Sequence, residues 1–501
     1  MKILSSKQLH EADAYTILNE PISSIDLMEC AAKQFVSILL SHSDAHSEFC
    51  IVCGLGNNGG DGLAIARMLN ANGYKVSVFV INNNGKQSDD FVTNYNCLKQ
   101  TEVSITEITQ PTQNLPISAK AIIIDALFGS GLNRPLSDLA LSVVKQLNAL
   151  QNRKIAVDIP SGLFADKPFD VDATVFQADE TITFQSPKLQ FLFAENEQYV
   201  GNLFIANIGQ LTNFAEKEVP YEYLTSQDIH LKKRTNFGHK GTFGHALLVS
   251  GSYGKMGAAV LASKACVKTG CGLLTTHVPQ CGYEIIQIAI PEAMADVDAN
   301  FYMTTRFPDS EKFSAIGIGP GIGTDAKTTQ AFATFLQSNE KPLVLDADAL
   351  NILAAKPELC KCIKPNTIIT PHPGEFDRLT HKHTTCYERF ATQIEFAQTH
   401  TCIVVLKGHR TSIAFPDGTC AFNSTGNSGM ATGGSGDTLT GIILSLLAQH
   451  YLPAEAAKIG VFLHGLAGDI ATETIMEESL IASDIIENIT NGLRKITILS
   501  K

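Results

Sequence analysis

The sequence predicts an α/β protein of two domains, each a parallel sheet with helices on both faces. Three observations predict it. Short runs such as FCIVCG, AKAIIIDAL and KPLVLDADAL are apolar along almost their whole length, as strands covered on both faces are. Segments of helical periodicity separate these runs. The alternation is interrupted once, by the polar, proline-bearing text LTNFAEKEVPYEYL at 211–224, which reads as a linker. A chain of 501 residues accommodates two or three domains.

Taken in order, SSKQLHEADAYTIL and SSIDLMECAAKQFVSILLSH read as helices. FCIVCG, YKVSVFVI, AKAIIIDAL, KIAVDIP, ETITFQ and NLFIANIG read as strands. After the linker, GHALLVSGS, GLLTTHVP, FSAIGIGPG, KPLVLDADAL, NTIITPHPGE and CIVVLKGH read as strands or strand-to-loop turns. RTSIAFPDGTCAFN reads as a hairpin turning at Pro-Asp-Gly. GDTLTGIILSLLAQH and AAKIGVFLHGLAGDIA close the chain as helices. No repeat or low-complexity tract is evident.

Hydrophobic residues make up 44% and charged residues 18%, a globular balance, with a net charge of −12. The absence of a basic stripe excludes nucleic acid as an expected partner. No apolar run is long enough to span a bilayer, and the first residues lack the apolar core of a signal peptide, so a cytoplasmic protein without a membrane partner is expected. The 12 cysteines are expected to be reduced. Cys50 and Cys53 form a C-x-x-C, but three residues apart on a strand they point to opposite faces. Cys360 and Cys362 lack a second ligand pair. No metal or redox role is expected of either pair.

Gly54-Leu-Gly56-Asn-Asn-Gly59 formally matches G-x-G-x-x-G. A strand, glycines and a helix start make an anion site. A dehydrogenase also needs an acid at the end of the next strand, and KVSVFVINNNG ends in asparagines. The loop is further unusual in carrying Asn57, Asn58, Gly59, Gly60 and Asp61. Asp125, the loop Gly129–Pro135, Asp158 and Ser161 follow other strand ends, where ligands of open α/β sheets bind. Asn58, Asp125, Asp158 and Ser161 converge on one crevice, or the two acids merely cap turns or helices. In the first case, amide, acid and hydroxyl oxygens suit a hard cation such as K⁺ or Mg²⁺, and a second acid is left for proton transfer.

Residues 1–212 resemble the NAD(P)H-hydrate epimerase family through LMECA (27–31), NNGGDGLAIAR (57–67), IIDALFGSGLNRP (123–135) and AVDIPSGL (156–163). The resemblance implies a Rossmann-like three-layer α/β/α sandwich whose substrate is the hydrated, damaged form of NADH or NADPH. It implies that Asn57, Asn58, Gly59, Gly60 and Asp61, and Gly129, Ser130, Gly131, Leu132, Asn133, Arg134 and Pro135, line that substrate. It further implies K⁺ on Asn58, Asp125 and Ser161, with Asp158 touching the substrate as the acid/base.

NSTGNSGMATGGSGDTLTGIILSLLAQ (423–449) carries the strongest single motif. Gly433, Gly434, Ser435 and Gly436 lead into Asp437 and an apolar helix. A helix start stabilises a transferring phosphoryl group, and Asp437 is either a base for a substrate hydroxyl or a plain N-cap. The turn at Gly317–Gly323, Asp346 and Asp348, His372 and Glu375, and Lys407 and Arg410 fit a phosphoryl-transfer site. No G-x-x-x-x-G-K-[ST] is present, which excludes a P-loop enzyme.

Residues 225–501 resemble the ribokinase-like superfamily and, within it, the ADP-dependent NAD(P)H-hydrate dehydratases. The stretch 239–275, IGPGIGTD, LDADALN, TPHPGE, LKGHRT and GGSGDTLTG match in order. HPGE stands where sugar kinases commonly have N-x-x-E. The resemblance implies a ribokinase-like α/β/α domain. Ala258, Gly321, His372 and Asp437 then contact the hydrate, and Lys407, Gly408, His409, Arg410, Thr411 and Gly436 contact the nucleotide. Asp437 is the base and Glu375 helps order Mg²⁺. ADP is the expected co-substrate, and a homo-oligomer is expected. A small-molecule kinase with a regulatory N-terminal half, a non-catalytic N-terminal binding module and a Rossmann oxidoreductase are the competing readings.

Overall fold

The computed structural model describes residues 1–83, 85–168, 172–211 and 219–499, and the chain divides into two compact units, Lys2–Val219 and Pro220–Lys501, the latter joined by Met1. Most of the expected linker, residues 212–218, lies outside the described residues.

In the first unit, the strands among the described residues are β1 (Glu48–Cys53), β2 (Lys75–Ile81), β3 (Ser104–Ile108), β4 (Ala121–Ala126), β5 (Lys154–Val157), β6 (Glu180–Phe184) and β7 (Asn202–Ala206). They form one parallel sheet in the order β3-β2-β1-β4-β5-β6-β7. One face packs Ile51, Cys53, Val78 and Ile124 against Phe35, Leu63 and Phe91 from three helices. The opposite face packs Cys50, Val52 and Ile123 against Val143, Val144 and Leu147 of helix Asp138–Ala149. Cys50 and Cys53 thus enter opposite cores, as strand geometry requires.

The strand order reverses between β1 and β4, so their carboxyl ends open a crevice there. Packing at that point is tight. A Cβ on Gly54 would lie 2.1 Å from the Leu127 carbonyl oxygen, and one on Gly59 would lie 1.9 Å from the Gly54 carbonyl oxygen. These glycines let the start of helix Asn57–Ala71 press against the ends of both strands.

In the second unit the strands are β8 (Tyr221–Tyr223), β9 (His245–Val249), β10 (Leu273–Val278), β11 (Met294–Val297), β12 (Ala315–Ile318), β13 (Leu343–Leu345), β14 (Ile368–Ile369), β15 (Ile403–Leu406), β16 (Ser412–Ala414) and β17 (Cys420–Phe422). The sheet order is β11-β10-β9-β12-β13-β14-β15-β16-β17-β8. It is parallel through β15; β16 and β17 form the expected antiparallel hairpin. Three residues expected in the linker instead make β8, which pairs in parallel with β17 and thereby finds its backbone partners. Helix Ser435–Ala448 is buried from Thr438 onward and crosses helix Met256–Thr269, where Gly441 is the contact point. No helix among the described residues is long and apolar enough to cross a membrane.

A Cβ on Gly441 would sit 2.1 Å from the Ala262 carbonyl oxygen, which cannot yield without moving a helix. Gly441→Ala is expected to destabilise the second unit by about 1–3 kcal/mol through overpacking. Calorimetry should show a lowered unfolding transition; an unchanged one would mean that the two helices are free to separate.

Candidate active sites

The crevice of the first unit is a cavity of about 1270 Å³. Asn57 and Asn58 reach its wall from the first turn of helix Asn57–Ala71, and Asp61 from the turn after it. Gly129, Ser130, Gly131, Leu132, Asn133, Arg134 and Pro135 reach it from the loop after β4, and Asp158 from the end of β5. Gly59 and Gly60 do not reach it. They lie inside the helix turn, Gly59 against Gly54 and Gly60 with an added Cβ only 2.9 Å from Met28 Sδ. Their part is to allow close packing.

Asp125 and Ser161 stand behind the wall, fully buried. Ser161 Oγ donates to Asp125 Oδ1 (2.7 Å), and Ser161 N donates to Asp125 Oδ2 (2.8 Å). Phe128 N donates to Ser161 Oγ (3.0 Å), and Asn58 Nδ2 donates to the Phe128 carbonyl (3.0 Å). One hydrogen-bonded chain therefore joins Asn58, Ser161 and Asp125. Burial weakens the Asp125 acid to about 6, against the hydrogen bonds from Ser161 and Leu127. Among the described residues, a buried carboxylate with neutral donors only, a hydroxyl and an amide whose Oδ1 takes no hydrogen bond form an all-oxygen set. That set suits a hard monovalent cation, which would supply the missing positive charge.

Asp158 is held differently. Its backbone is left-handed (φ 64°), at a cost on the order of 1 kcal/mol. Its Oδ1 accepts from Lys188 Nζ (2.5 Å), Thr183 Oγ1 (3.1 Å) and Phe184 N (3.1 Å). Lys188 is 1% exposed, and its ammonium also donates to Thr183 Oγ1 (2.8 Å) and the Phe184 carbonyl (3.3 Å). A charge so buried is tolerable only when paired. Lys188 is not among the residues singled out from the sequence, although it follows the end of β6, the strand next to β5. His10 and Asp13, from helix Ser6–Asn19, also line the cavity and were likewise not anticipated.

In the second unit the carboxyl ends of β9, β12, β13, β14 and β15 bring the expected residues together. Ala258 lies on helix Met256–Thr269, and a Cβ on Gly321 (φ 68°) would be 3.3 Å from its Cβ. Asp348 Oδ2 accepts from Gly323 N (2.9 Å) and Lys255 Nζ (3.2 Å). His372 caps helix Pro373–Leu379: its Nδ1 accepts from Gly374 N (3.1 Å), and its own backbone N donates to Glu375 Oε2 (2.9 Å). Burial lowers the His372 pKa, so the ring is neutral and its Nε2–H points to Glu375 Oε1 (3.3 Å).

Lys407 Nζ sits 2.8 Å from Asp346 Oδ1 and 3.8 Å from Glu375 Oε2, and Thr440 Oγ1 donates to Asp346 Oδ2 (2.7 Å). Gly436 abuts the same ammonium: a Cβ there would be 3.2 Å from Lys407 Nζ. The turn from Lys407 through Gly408 and His409 closes with Thr411 Oγ1 donating to the Gly408 carbonyl (2.8 Å). Arg410 donates to Tyr223 Oη (3.1 Å) and the Ser424 carbonyl (3.2 Å), so its guanidinium is fixed by β8.

Asp437 occupies the first turn of helix Ser435–Ala448, after Gly434 in the left-handed conformation (φ 88°). Burial, and then the charge of Asp346, push its carboxyl up to about 6. His464, lowered to about 4 by burial, lies 3.3 Å from Ser435 Oγ and was not foreseen from sequence. Asp346, Glu375 and Asp437 outnumber Lys407, a surplus of negative charge that suits a cation. Among the described residues, however, no three His, Cys, Asp or Glu side chains converge on one point. A Mg²⁺ here would be held largely by phosphate oxygens and water, its usual manner.

Fold and sites define a two-domain α/β enzyme with buried acids gathered at the strand ends of each domain. Known proteins sharpen this. A family model described as YjeF-related protein N-terminus matches residues 24–190, and one described as NAD(P)H-hydrate dehydratase matches residues 246–491. A bifunctional NAD(P)H-hydrate repair enzyme of Moorella thermoacetica is 32% identical, covering 99% of this chain and 97% of its own. That of Thermofilum pendens is 34% identical over 94% and 92%. The solved ADP/ATP-dependent NAD(P)H-hydrate dehydratase of Bacillus subtilis, co-crystallised with ATP/Mg²⁺, is 32% identical with a TM-score of 0.49, covering 55% of this chain and 98% of that one. The chain belongs to the bifunctional NAD(P)H-hydrate repair enzymes. It is an epimerase and a dehydratase of hydrated NAD(P)H in one polypeptide.

A carboxyl whose folded pKa exceeds its unfolded value contributes stability below the unfolded pKa and loses it as pH rises through the folded one. For Asp437 that loss falls between about pH 4 and the folded value of about 6. Asp437→Asn should therefore melt higher than the parent near neutral pH, by on the order of 1 kcal/mol, with the difference closing below about pH 4. Melting curves across that range check it; a variant less stable at neutral pH would contradict it.

Proposed function

We propose a division of chemistry in which the first domain interconverts the R and S hydrates and the second consumes the S form. The observation that carries this reading is Asp437, an acid of about 6 at a glycine-flanked helix start beside Lys407. A base is most effective with a pKa near the working pH.

In the second domain, the C6 hydroxyl of the hydrate gives its proton to Asp437 as its oxygen attacks the terminal phosphoryl group of ADP. The bond to the leaving AMP breaks, and a poor leaving group has become a phosphate. Loss of that phosphate with the C5 proton restores the dihydronicotinamide. The free amides of helix Ser435–Ala448 and Lys407 face the charge that moves. Gly436 and the turn Lys407–Thr411 serve the nucleotide; Ala258, Gly321 and His372 serve the hydrate. Mg²⁺ bound with the nucleotide phosphates would neutralise their charge, with Glu375 ordering its water.

In the first domain, residues 57–61 and Gly129–Pro135 shape the dinucleotide site. Asn58, Asp125 and Ser161 fit K⁺, which when bound supplies a fixed positive charge to the cavity wall. Asp158, paired with Lys188, is the carboxylate placed for the proton transfer that epimerisation at C6 requires.

The test uses purified full-length chain and an R/S mixture of hydrated NADH, following recovery of the reduced-nicotinamide absorbance with ADP, with ATP and with neither. Full nucleotide-dependent recovery is expected. Recovery of the S fraction alone would remove the epimerase assignment, and no recovery would remove both. Asp437→Asn should lower the dehydration kcat by about 10²–10⁴-fold while the epimers still re-equilibrate.

A further inference from the structure

The acids of the first domain's cavity are held in unlike ways. Asp13 accepts from Gln210 Nε2 (2.7 Å), Asp90 from Ser24 Oγ (2.5 Å), and Asp158 from Lys188, Thr183 and Phe184. Asp61 lines the same cavity, yet among the described residues no group donates a hydrogen bond to it. Its neighbour Gly60 is locked against Met28, and Asp61 is the next side chain after Asn58 on this helix to reach the wall. The groups that face it are acids: Asp158, Asp13 and Asp90, with the buried Cys53 thiol behind in β1. Of the basic side chains that line the cavity, His10 and Lys188 lie toward Asp13 and Asp158, and Lys86 and Arg134 stand on the loops after β2 and β4. Burial first, and then the like charges, hold the Asp61 carboxyl well above the usual range. A carboxyl with no donor, beside a second carboxyl that has an ammonium partner, is the arrangement that divides acid from base.

We propose that Asp61 is the general acid of epimerisation, giving a proton to the C6 hydroxyl, with Asp158 as the base. This rests on the reading of the first domain as the epimerase. The hydroxyl oxygen takes the Asp61 proton, the C6–O bond breaks, and the N1 lone pair forms an N1=C6 iminium, releasing water. Water then adds to the opposite face of C6 and gives a proton to Asp158 as the electron pair returns to N1. A proton passing from Asp158 to Asp61 through cavity water restores the start. The Asp158 carboxylate stands near the cationic ring in the interval.

The experiment uses the full-length chain without nucleotide and hydrated NADH enriched in one epimer, in water labelled with oxygen-18. Re-equilibration is followed by chromatography and label by mass spectrometry. The parent should carry label into the C6 hydroxyl with each inversion, and its kcat should fall on the alkaline side as the acid loses its proton. Asp61→Asn should lower kcat by about 10²–10³-fold, keep KM within about threefold and lose that alkaline limb. An Asp61→Asn enzyme of near-parental kcat, a change in KM alone, or inversion without label would overturn the proposal. Should Asp61→Asn stay active while Asp158→Asn is dead, the epimerase reading stands and Asp61 falls. Should the parent itself fail to invert the epimers, the epimerase reading falls instead. Asp61→Glu, which keeps the acid, should recover part of the rate; no recovery with a normal melting curve would also count against the role.

Discussion

A parallel sheet covered on both faces leaves its chemistry only one place to go. In both domains the inner strands are largely apolar, so few polar side chains leave the sheet sideways. Polar groups therefore collect where the chain emerges at the carboxyl ends, and the turns there must be tight enough to let helix starts and strand ends meet. Gly54 and Gly59 meet that demand in the first domain, Gly434 and Gly436 in the second. The glycines follow from sheet geometry, and the anion-binding helix starts follow from the glycines.

The same geometry explains the acids. Asp125, Asp158, Asp346 and Asp437 all stand at strand ends or helix starts, partly or wholly out of water. Each meets the cost of burial in its own way: Asp125 with neutral donors, Asp158 with Lys188, Asp346 with Lys407 and Thr440. Asp437 has Lys407 nearby, but that ammonium is already engaged, and its carboxyl stays weak. A cation of its own therefore separates Asp158 and Asp346 from Asp437.

Much of this was legible in the sequence, because strand ends can be read from where an apolar run stops. FCIVCG, AIIID and KIAVD set Asn58, Asp125, Asp158 and Ser161 at strand carboxyl ends, with one shared crevice or plain caps both open, and the structure joins three of them in one hydrogen-bonded chain. Lys188 was not legible. Its partner is thirty residues earlier, and their meeting depends on β5 and β6 being neighbours, which is a fact of topology. The family resemblance implies that Gly59 and Gly60 line the substrate, but a shared motif does not separate a glycine that faces a ligand from one that faces a helix. β3 and β11, at the sheet edges, lack the continuous apolar text of inner strands and were not anticipated. β8 is three residues long and exists through its pairing with β17.

Arg410 shows how far such short edge elements reach. Its sequence context offers it as a free cation for phosphates, but Tyr223 of β8 and the Ser424 carbonyl hold the guanidinium. Lys407, three residues earlier, is committed to Asp346 and Glu375. Neither cation is therefore idle while the site waits for a nucleotide. On the proposed reading, an arriving phosphate would compete with a carboxylate for Lys407. Such an exchange would draw the cation shared by Asp346 and Asp437 toward the nucleotide and would strengthen Asp437 as the proposed base. A pre-formed ion pair at the helix start can thus couple nucleotide arrival to proton acceptance without any movement of the backbone.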